Sequence, residues 1–254
     1  MGIGRNFQRA EREVMGGGVF ITGTDTNVGK TFVVCALGHA LKKKFSNLFY
    51  FKPIETGCRK RGGKLIPSDT ISVLNSLRLK MPISQASPIR FVTPAAPYIS
   101  AKVEHKKISI RRILSCYKKI RKKSDFVIVE GAGGINVPIT EDYFYIDLIN
   151  DMKIPALLVV KEKLGMINHT LLTLEGLSSR GVEVVGVIFN RSENYKYQKD
   201  EYELRSKDIE FIANHAGIKI LVRIPFVKER KNIQEIPEVL KPIILNLCLQ
   251  KISL

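Results

Sequence analysis

Six short apolar runs are spaced along the chain, and each has the length of one buried β-strand. They cover Val19–Thr22, Leu48–Phe51, Phe126–Val129, Ala156–Val160, Val184–Phe189 and Ile218–Val222. A parallel strand covered by helices on both faces is apolar without alternation, which is the pattern of these runs. The runs therefore predict six buried, mainly parallel strands.

Segments with the period of an α-helix lie between most of these runs. They extend from Lys30 to about Lys43, from Asp69 to about Leu77, from Ile108 to about Lys122, from Ile167 to about Ser179 and from about Asp200 to His215, and a closing helix is predicted within Ile236–Leu254. Strands that alternate with helices indicate an α/β fold. We expect a doubly wound, mainly parallel sheet flanked by helices, of the P-loop NTPase type and built as a single domain.

Two regions fall outside this alternation. Residues 1–17 are polar, lack an apolar segment and end in glycines, so we expect a disordered leader, followed by one domain over residues 18–254. The stretch from about Lys80 to Val103 contains four prolines, Pro82, Pro88, Pro94 and Pro97. Proline interrupts both helices and central strands, so this stretch is predicted to be an irregular excursion outside the sheet.

Composition excludes several classes of protein. No run approaches 18 consecutive apolar residues, so no membrane-spanning segment is expected. The four cysteines form no CxxC pair, which argues against a zinc site and against a disulfide framework. A cytoplasmic, reducing location is the prediction.

The formal net charge of +17 is unusual for a chain of this size. The basic residues are clustered in Lys42–Lys44, Arg59–Arg61, Lys106–Lys107, Arg111–Arg112, Lys118–Lys123 and Lys228–Lys231. Such surfaces attract anions, but no aromatic platform or known recognition motif accompanies them, so a nucleic-acid partner is not favoured. We expect solvated faces that also draw in an anionic nucleotide and an acidic substrate.

The chemistry-bearing pattern begins directly after the first apolar run, at Gly23-Thr24-Asp25-Thr26-Asn27-Val28-Gly29-Lys30-Thr31. A glycine-bearing turn that opens a helix points backbone N–H groups at phosphate oxygens. Lys30 would reach the terminal phosphates, and the Thr31 hydroxyl would bind Mg²⁺. The spacing is one residue longer than that of the usual Walker A motif.

Further candidates stand where the next apolar runs end, because ligands collect at the carboxyl ends of parallel strands. Lys52 could face the same phosphates, although a lysine at a strand end is more often a solvated charge. Glu130, followed by Gly131-Ala132-Gly133-Gly134, stands where a metal-binding carboxylate is expected. Asp69 is either a second Mg²⁺ carboxylate or only a helix N-terminal charge.

These motifs together resemble one family, the dethiobiotin synthetases, over nearly all of the chain from Val19 to about Glu229. They comprise the elongated P-loop, Lys52-Pro53-Ile54-Glu55-Thr56-Gly57, Asp69, Glu130-Gly131-Ala132-Gly133-Gly134 and Lys163-Leu164-Gly165-Met166-Ile167-Asn168-His169. The resemblance implies the reaction of ATP, CO₂ or bicarbonate, and 7,8-diaminononanoate to dethiobiotin, ADP and phosphate. In that reaction the diamine becomes a carbamate, ATP phosphorylates it, and the second amine closes the ring.

The resemblance also implies residue roles. The catalytic residues would be Lys30, Lys52 and Thr26, and Mg²⁺ would be held by Thr31, Asp69 and Glu130. ATP would be bound by Asn27, Val28, Gly29, Lys30 and Thr31, with the base against Asn190, Pro225 and Phe226. The substrate would lie against Thr56, Gly131, Gly133, Leu164 and Asn168.

Members of the family are homodimers, which implies that Leu164–Asn168 closes over the neighbouring subunit's substrate carboxylate. Three other assignments compete with this one, and the first is a catalytically idle nucleotide-binding protein. An amidoligase of the cobyrinate type carries a glutaminase domain, for which 254 residues leave no room. A partitioning-type ATPase switch carries a signature lysine where this chain has Asp25.

Overall fold

The computed structural model describes residues 17–191, 199–218, 220–226, 236 and 238–250. Within these ranges ten strands, β1 to β10, cover Gly17–Gly23, Leu48–Phe51, Ile54–Glu55, Arg59–Arg61, Lys64–Ile66, Ile89–Arg90, Phe126–Glu130, Ala156–Lys161, Val184–Asn190 and Leu221–Ile224. Nine helices in the same ranges, α1 to α9, cover Lys30–Leu41, Ser68–Ser76, Ile83–Ala86, Pro97–Val103, Ile110–Arg121, Tyr145–Met152, Met166–Ser179, Lys199–Ala216 and Lys241–Gln250.

A six-stranded sheet forms the centre of the molecule, in the order β10-β9-β8-β1-β7-β2. All of its neighbouring strands are parallel, which confirms the predicted α/β fold. β1 lies between β7 and β8, so the strand order reverses on either side of it. A crevice opens at such a reversal, at the carboxyl ends of the strands.

Helices cover both faces of the sheet, as the unbroken apolar runs require. Val19 and Ile21 of β1 join an apolar cluster with α1 and α9, whereas Phe20 joins a second cluster with α5 and α6 on the opposite face. A third cluster packs α7 and α8 against β8 and β9. No helix among the described residues is long and apolar enough to cross a membrane.

The six predicted strands match the six strands of the sheet, with one shift. The last apolar run was expected to begin at Ile218, but β10 begins at Leu221. Ile218 instead packs against the α7–α8 cluster, which explains why an apolar residue precedes the strand. At the other end of the domain β1 begins at Gly17, the residue that the prediction placed last in the leader, and residues 1–16 lie outside the described residues.

The proline-containing stretch stays outside the main sheet, as predicted, but it is not wholly irregular. It contains α3 and α4, and β6 pairs with β3 in a separate two-stranded sheet. The β4–β5 hairpin and α6 were not predicted from the sequence. The closing helix begins at Lys241 rather than Ile236: α9 covers Lys241–Gln250, and residues 251–254 lie outside the described residues.

The aromatic pair Phe45 and Phe126 yields a test of the core. Phe126 is 1% exposed, stacks on Phe45 with ring centroids 4.9 Å apart, and fills the space beside Gly17 where a side chain would stand. We expect Phe126→Ala to lower the free energy of unfolding by about 3–5 kcal/mol, because it removes apolar contacts and leaves a cavity. Urea unfolding followed by circular dichroism measures this change in the free energy of unfolding.

Val103→Ala provides the matched control, since Val103 is 59% exposed and an exposed substitution should change the free energy of unfolding by about 0.5 kcal/mol or less. Equal effects of the two substitutions would contradict the assignment of Phe126 to the core.

Candidate active site

The loop between β1 and α1 has the conformation of a phosphate-binding turn. Gly29 precedes α1 with a φ of 96°, and Asn27 also has a positive φ of 56°, a conformation that asparagine tolerates better than most residues. The Lys30 ammonium turns back into the loop and donates to the carbonyl of Asp25 at 2.8 Å. The lysine that the sequence assigns to the terminal phosphates therefore lies within the loop.

Asn190 packs directly against this loop from the end of β9. Its Nδ2 donates to the Val28 carbonyl at 2.8 Å and occupies the space where a Cβ on Gly29 would stand. Gly29 is therefore required both by its positive φ and by this close approach. The structure brings Asn190 to the predicted nucleotide loop, and its contact with adenine stays a prediction.

A buried carboxylate, Glu130 at the end of β7, joins the loop to the neighbouring strand. Its Oε1 accepts from Thr31 Oγ1 at 2.7 Å and from Lys52 Nζ at 2.9 Å, and its Oε2 accepts from the Tyr50 hydroxyl at 2.7 Å. Glu130 is 1% exposed, so each of these donors replaces hydration that the carboxylate has lost. Three sequence-predicted residues, Thr31, Lys52 and Glu130, thus meet at one point.

Lys52 is not a solvated charge but a buried cation between two carboxylates. Its Nζ donates to Asp69 Oδ2 at 2.5 Å as well as to Glu130, and the residue is only 4% exposed. Burial alone would lower the pKa of Lys52, but the charges of Glu130 and Asp69 outweigh it and raise that pKa above its usual value. Lys52 is therefore held in its charged form.

The influences on the pKa of Lys30 have the opposite balance. Burial is the largest influence and lowers the pKa of Lys30 to about 8, although Glu130 favours the charged form. The neighbouring cation Lys52 adds to the lowering. Two lysines thus lie near one carboxylate, and an added anion would stabilise the positive charge of both.

Glu55 is a functional candidate that the sequence did not single out. Its carboxylate accepts from the backbone N–H groups of Asp69 at 2.9 Å and Thr70 at 3.1 Å, and from the Thr70 hydroxyl at 2.6 Å. These bonds hold the first turn of α2 and thereby the position of Asp69. Glu55 lies inside the quoted Lys52–Gly57 motif, but the spacing alone does not reveal a bond to a helix 14 residues further on.

The glycines after Glu130 bring a second loop against the P-loop. Gly131 donates its N–H to the Ile21 carbonyl at 3.0 Å, and Gly133, with a φ of 74°, leaves only 3.7 Å between its Cβ position and Thr26 Cγ2. Thr26 and Gly133 are therefore neighbours, and the roles that the resemblance gives them stay predictions. Thr56 is half-buried and follows Glu55 at the end of β3.

The segment after β8 contributes one contact to the P-loop and one exposed apolar side chain. Lys163 Nζ lies 3.5 Å from Asp25 Oδ2, and both side chains are nearly half exposed. Leu164 is 87% exposed and Asn168 is exposed on the first turn of α7. These two predicted substrate residues are exposed to solvent in this chain.

The segment after β10 carries the predicted base contacts, Pro225, which is exposed, and Phe226, which is half-buried. A bidentate ion pair fixes the strand just before them. Arg223 Nε donates to Glu162 Oε1 at 2.7 Å, and Arg223 Nη2 donates to Glu162 Oε2 at 2.8 Å. No sequence signal pairs these two residues, because they are 61 positions apart and belong to no shared motif.

Comparison with known proteins is consistent with this geometry. A family model described as an AAA domain matches residues 17–234. The ATP-dependent dethiobiotin synthetase BioD of Caldicellulosiruptor saccharolyticus is 39% identical over 83% of this chain and 86% of its own length. The protein of the same name from Methanocaldococcus jannaschii is 42% identical over 68% of this chain and 78% of its own length.

Among solved structures, a MinC:MinD cell division protein complex from Aquifex aeolicus aligns with a TM-score of 0.51 and 18% identity. The alignment covers 92% of this chain and 95% of that chain, and at this identity it shows a shared fold alone. The sequence relatives, in contrast, match at 33–42% identity, and those quoted cover more than two thirds of both chains. The chain therefore carries an AAA domain and belongs to the family of ATP-dependent dethiobiotin synthetases.

Proposed function

We propose that this chain is an ATP-dependent ligase that forms dethiobiotin from 7,8-diaminononanoate and CO₂ in biotin biosynthesis. Its relatives carry the name of that activity. The observation that carries the proposal is the meeting of Lys30, Thr31, Lys52 and Glu130 at the carboxyl ends of adjacent strands. Such a site has the charges that phosphoryl transfer requires.

The reaction begins with one amine of the substrate adding CO₂ to give a carbamate. A carbamate oxygen then attacks the γ-phosphorus of ATP, ADP leaves, and the second amine attacks the carbamoyl carbon, so that phosphate leaves as the ring closes. Lys30 and Lys52 serve the middle step, since fixed cations stabilise negative charge on the transferring group better than mobile water does. The carboxylates of Glu130 and Asp69 keep Lys52 charged and oriented for this role.

Mg²⁺ fits the donors on this side of the site. Thr31 and Glu130 supply neighbouring oxygens, Asp69 supplies a half-exposed carboxylate, and Mg²⁺ is commonly bound by one or two carboxylates together with substrate phosphates. Among the described residues no three His, Cys, Asp or Glu side chains cluster into a protein-only metal site. When bound, Mg²⁺ would neutralise part of the phosphate charge.

The nucleotide would be held at two places. The backbone N–H groups of Asn27, Val28 and Gly29, together with Lys30 and Thr31, would surround the phosphates at the start of α1. The base would lie against Asn190, Pro225 and Phe226. The Glu162–Arg223 pair supports this placement, because it ties β10 to the end of β8 immediately before Pro225.

The diamine and its carbamate would lie between Thr26, Thr56, Gly131 and Gly133, with the carboxylate reaching a second subunit. The N-terminus of α7 suits a carboxylate, since Gly165 offers no side-chain cap and the first turn has no acidic residue. The exposure of Leu164 and Asn168 is what a dimer contact requires. A homodimer therefore belongs to the proposal, as does a cytoplasmic location, which rests on the cysteine pattern.

The rival assignments have less support. The relatives at 33–42% identity are named dethiobiotin synthetases, and none of those quoted is a cobyrinate-type amidoligase. The likeness to MinD is one of fold. In addition, Asp25 stands where the partitioning-type ATPases carry their signature lysine, and here its carboxylate pairs with Lys163.

The test of the function is a reconstitution with the purified chain. Mg·ATP, bicarbonate and 7,8-diaminononanoate should give dethiobiotin and ADP in equal amounts, measured by mass spectrometry and a coupled ADP assay. Lys30→Ala should lower kcat by at least about a hundredfold, because it removes a charge that stabilises the transferring group.

Lys44→Ala is the matched control for Lys30→Ala, since Lys44 is an exposed lysine of the same region and should leave kcat unchanged. ATP hydrolysis without diamine dependence in a folded sample would refute the proposed reaction. A near-normal kcat in Lys30→Ala would refute the role of that lysine.

Tyr50 provides a test of how the Glu130 carboxylate is positioned. Tyr50→Phe leaves Glu130 Oε2 without its donor, and loss of a partner that orients a metal-binding group weakens metal binding by about tenfold or more. We expect the Mg²⁺ concentration that half-saturates binding of a fluorescent ATP analogue to rise by that factor. Titration of Mg²⁺ at a fixed analogue concentration measures the change without catalysis.

Tyr117→Phe is the control for this substitution, because its buried hydroxyl donates to the Met152 carbonyl and not to the site. An unchanged Mg²⁺ requirement in Tyr50→Phe would mean that Glu130 does not act through the metal.

The homodimer is tested at Leu164. Sedimentation should give about twice the chain mass of 28.6 kDa for the wild type. Leu164→Asp should shift the measured mass towards that of the monomer, because the substitution would bury a charge at the contact. Leu245→Asp, at a side chain that is 62% exposed on α9, is the control and should remain dimeric. A fully active monomeric wild type would contradict the shared substrate site.

A further inference from the structure

A cavity of about 690 Å³ opens between β5, β6 and the start of α5. Its lining includes none of the residues of the P-loop, nor Lys52, Asp69 or Glu130. Its size lies within the range of about 300–1,000 Å³ that is usual for small-molecule sites. It is therefore separate from the proposed ATP site and large enough for a ligand.

The rim of this cavity is strongly basic. Five of the lining residues are basic and none is acidic, the basic ones being Lys64, Arg90, Lys106, Lys107 and Arg112. Lys106 pairs with Glu104 at 2.7 Å, whereas the other four make no ion pair with any described residue. Like charges that converge on a concave surface concentrate anions there.

These charges come from distant parts of the chain. The hairpin that contains β5, the strand β6 and the segment that leads into α5 each contribute, so two of the basic clusters seen in the sequence meet there with Lys64 and Arg90. The first turn of α5 contains no acidic residue, and Ser109 Oγ already accepts from the Arg112 N–H at 3.2 Å. The fold thus brings part of the basic surface together around one opening.

The remaining lining is mostly apolar. It consists of Leu65, Ile66, Ile83, Pro88, Ile89 and Phe91, together with the Ser109 hydroxyl. A purely inorganic anion would leave this apolar surface wet, whereas a ligand with an apolar part would cover it. The combination favours a molecule with a charged end and an apolar body.

We propose that this cavity binds a small amphipathic anion, in which a phosphate, carboxylate or sulfonate group meets the basic rim and an apolar body covers the floor. The proposal does not depend on the reaction proposed above. The cavity is also connected to the proposed ATP site, because β5 leads through Pro67 into α2, where Asp69 pairs with Lys52. The strand β6, which lines the cavity, pairs with β3, the strand that contains Glu55.

The experiment uses 8-anilinonaphthalene-1-sulfonate, an anion with an apolar aromatic body that fluoresces when bound. The full chain is titrated with excess Mg·ADP present, so that the P-loop is filled. Lys64→Gln combined with Arg112→Gln removes two charges from the rim and should weaken saturable binding by about tenfold. Thermal unfolding followed by circular dichroism verifies that each variant is folded.

Lys118→Gln combined with Lys119→Gln is the matched control. Both lysines are exposed near the other end of α5, and the change in net charge is the same, so the affinity should equal that of the wild type. Equal affinities of the rim variant and the wild type would overturn the proposal. So would a rim variant that loses binding of a single-stranded oligonucleotide but keeps that of the dye, since the surface would then be a nucleic-acid site.

Discussion

The buried carboxylate of Glu130 is the group on which the rest of the site depends. It is almost wholly removed from water, and a charge in that position is stable only if donors replace its hydration. The donors are the hydroxyls of Thr31 and Tyr50 and the ammonium of Lys52. One carboxylate at the end of β7 thereby connects three places in the chain. Thr31 lies at the start of α1, Tyr50 lies in β2, and Lys52 directly follows β2.

This connection explains why the charged residues tolerate burial in the middle of an apolar sheet. Lys52 compensates Glu130 and Asp69, and Glu55 fixes the turn from which Asp69 extends. Removal of one member would leave a neighbour buried without its partner, and such losses cost several times more than the same contact at a surface. The arrangement is therefore cooperative, and it supplies two positioned cations to the phosphate-binding loop.

The strands and the residues at their ends could be predicted because the apolar runs are unbroken and because the carboxyl ends of parallel strands meet at one edge. Lys30, Thr31, Lys52, Asp69 and Glu130 followed from that rule and from the family motifs, and the structure brings them together. The roles of Tyr50, Glu55 and the Glu162–Arg223 pair could not be predicted in this way. Each depends on a bond to a residue that is distant in sequence or outside any motif, so only the packing of the chain reveals it.

The contact between Thr31 and Glu130 spans 99 positions of the chain, and that between Tyr50 and Glu130 spans 80. Contacts of such long range require the intervening chain to be closed into a loop, so they cannot form before β7 is in place. During synthesis the P-loop would leave the ribosome long before β7, and its threonine would have no carboxylate partner until then. Nucleotide binding of native strength would accordingly mark the completion of the sheet rather than the folding of its first strand and helix.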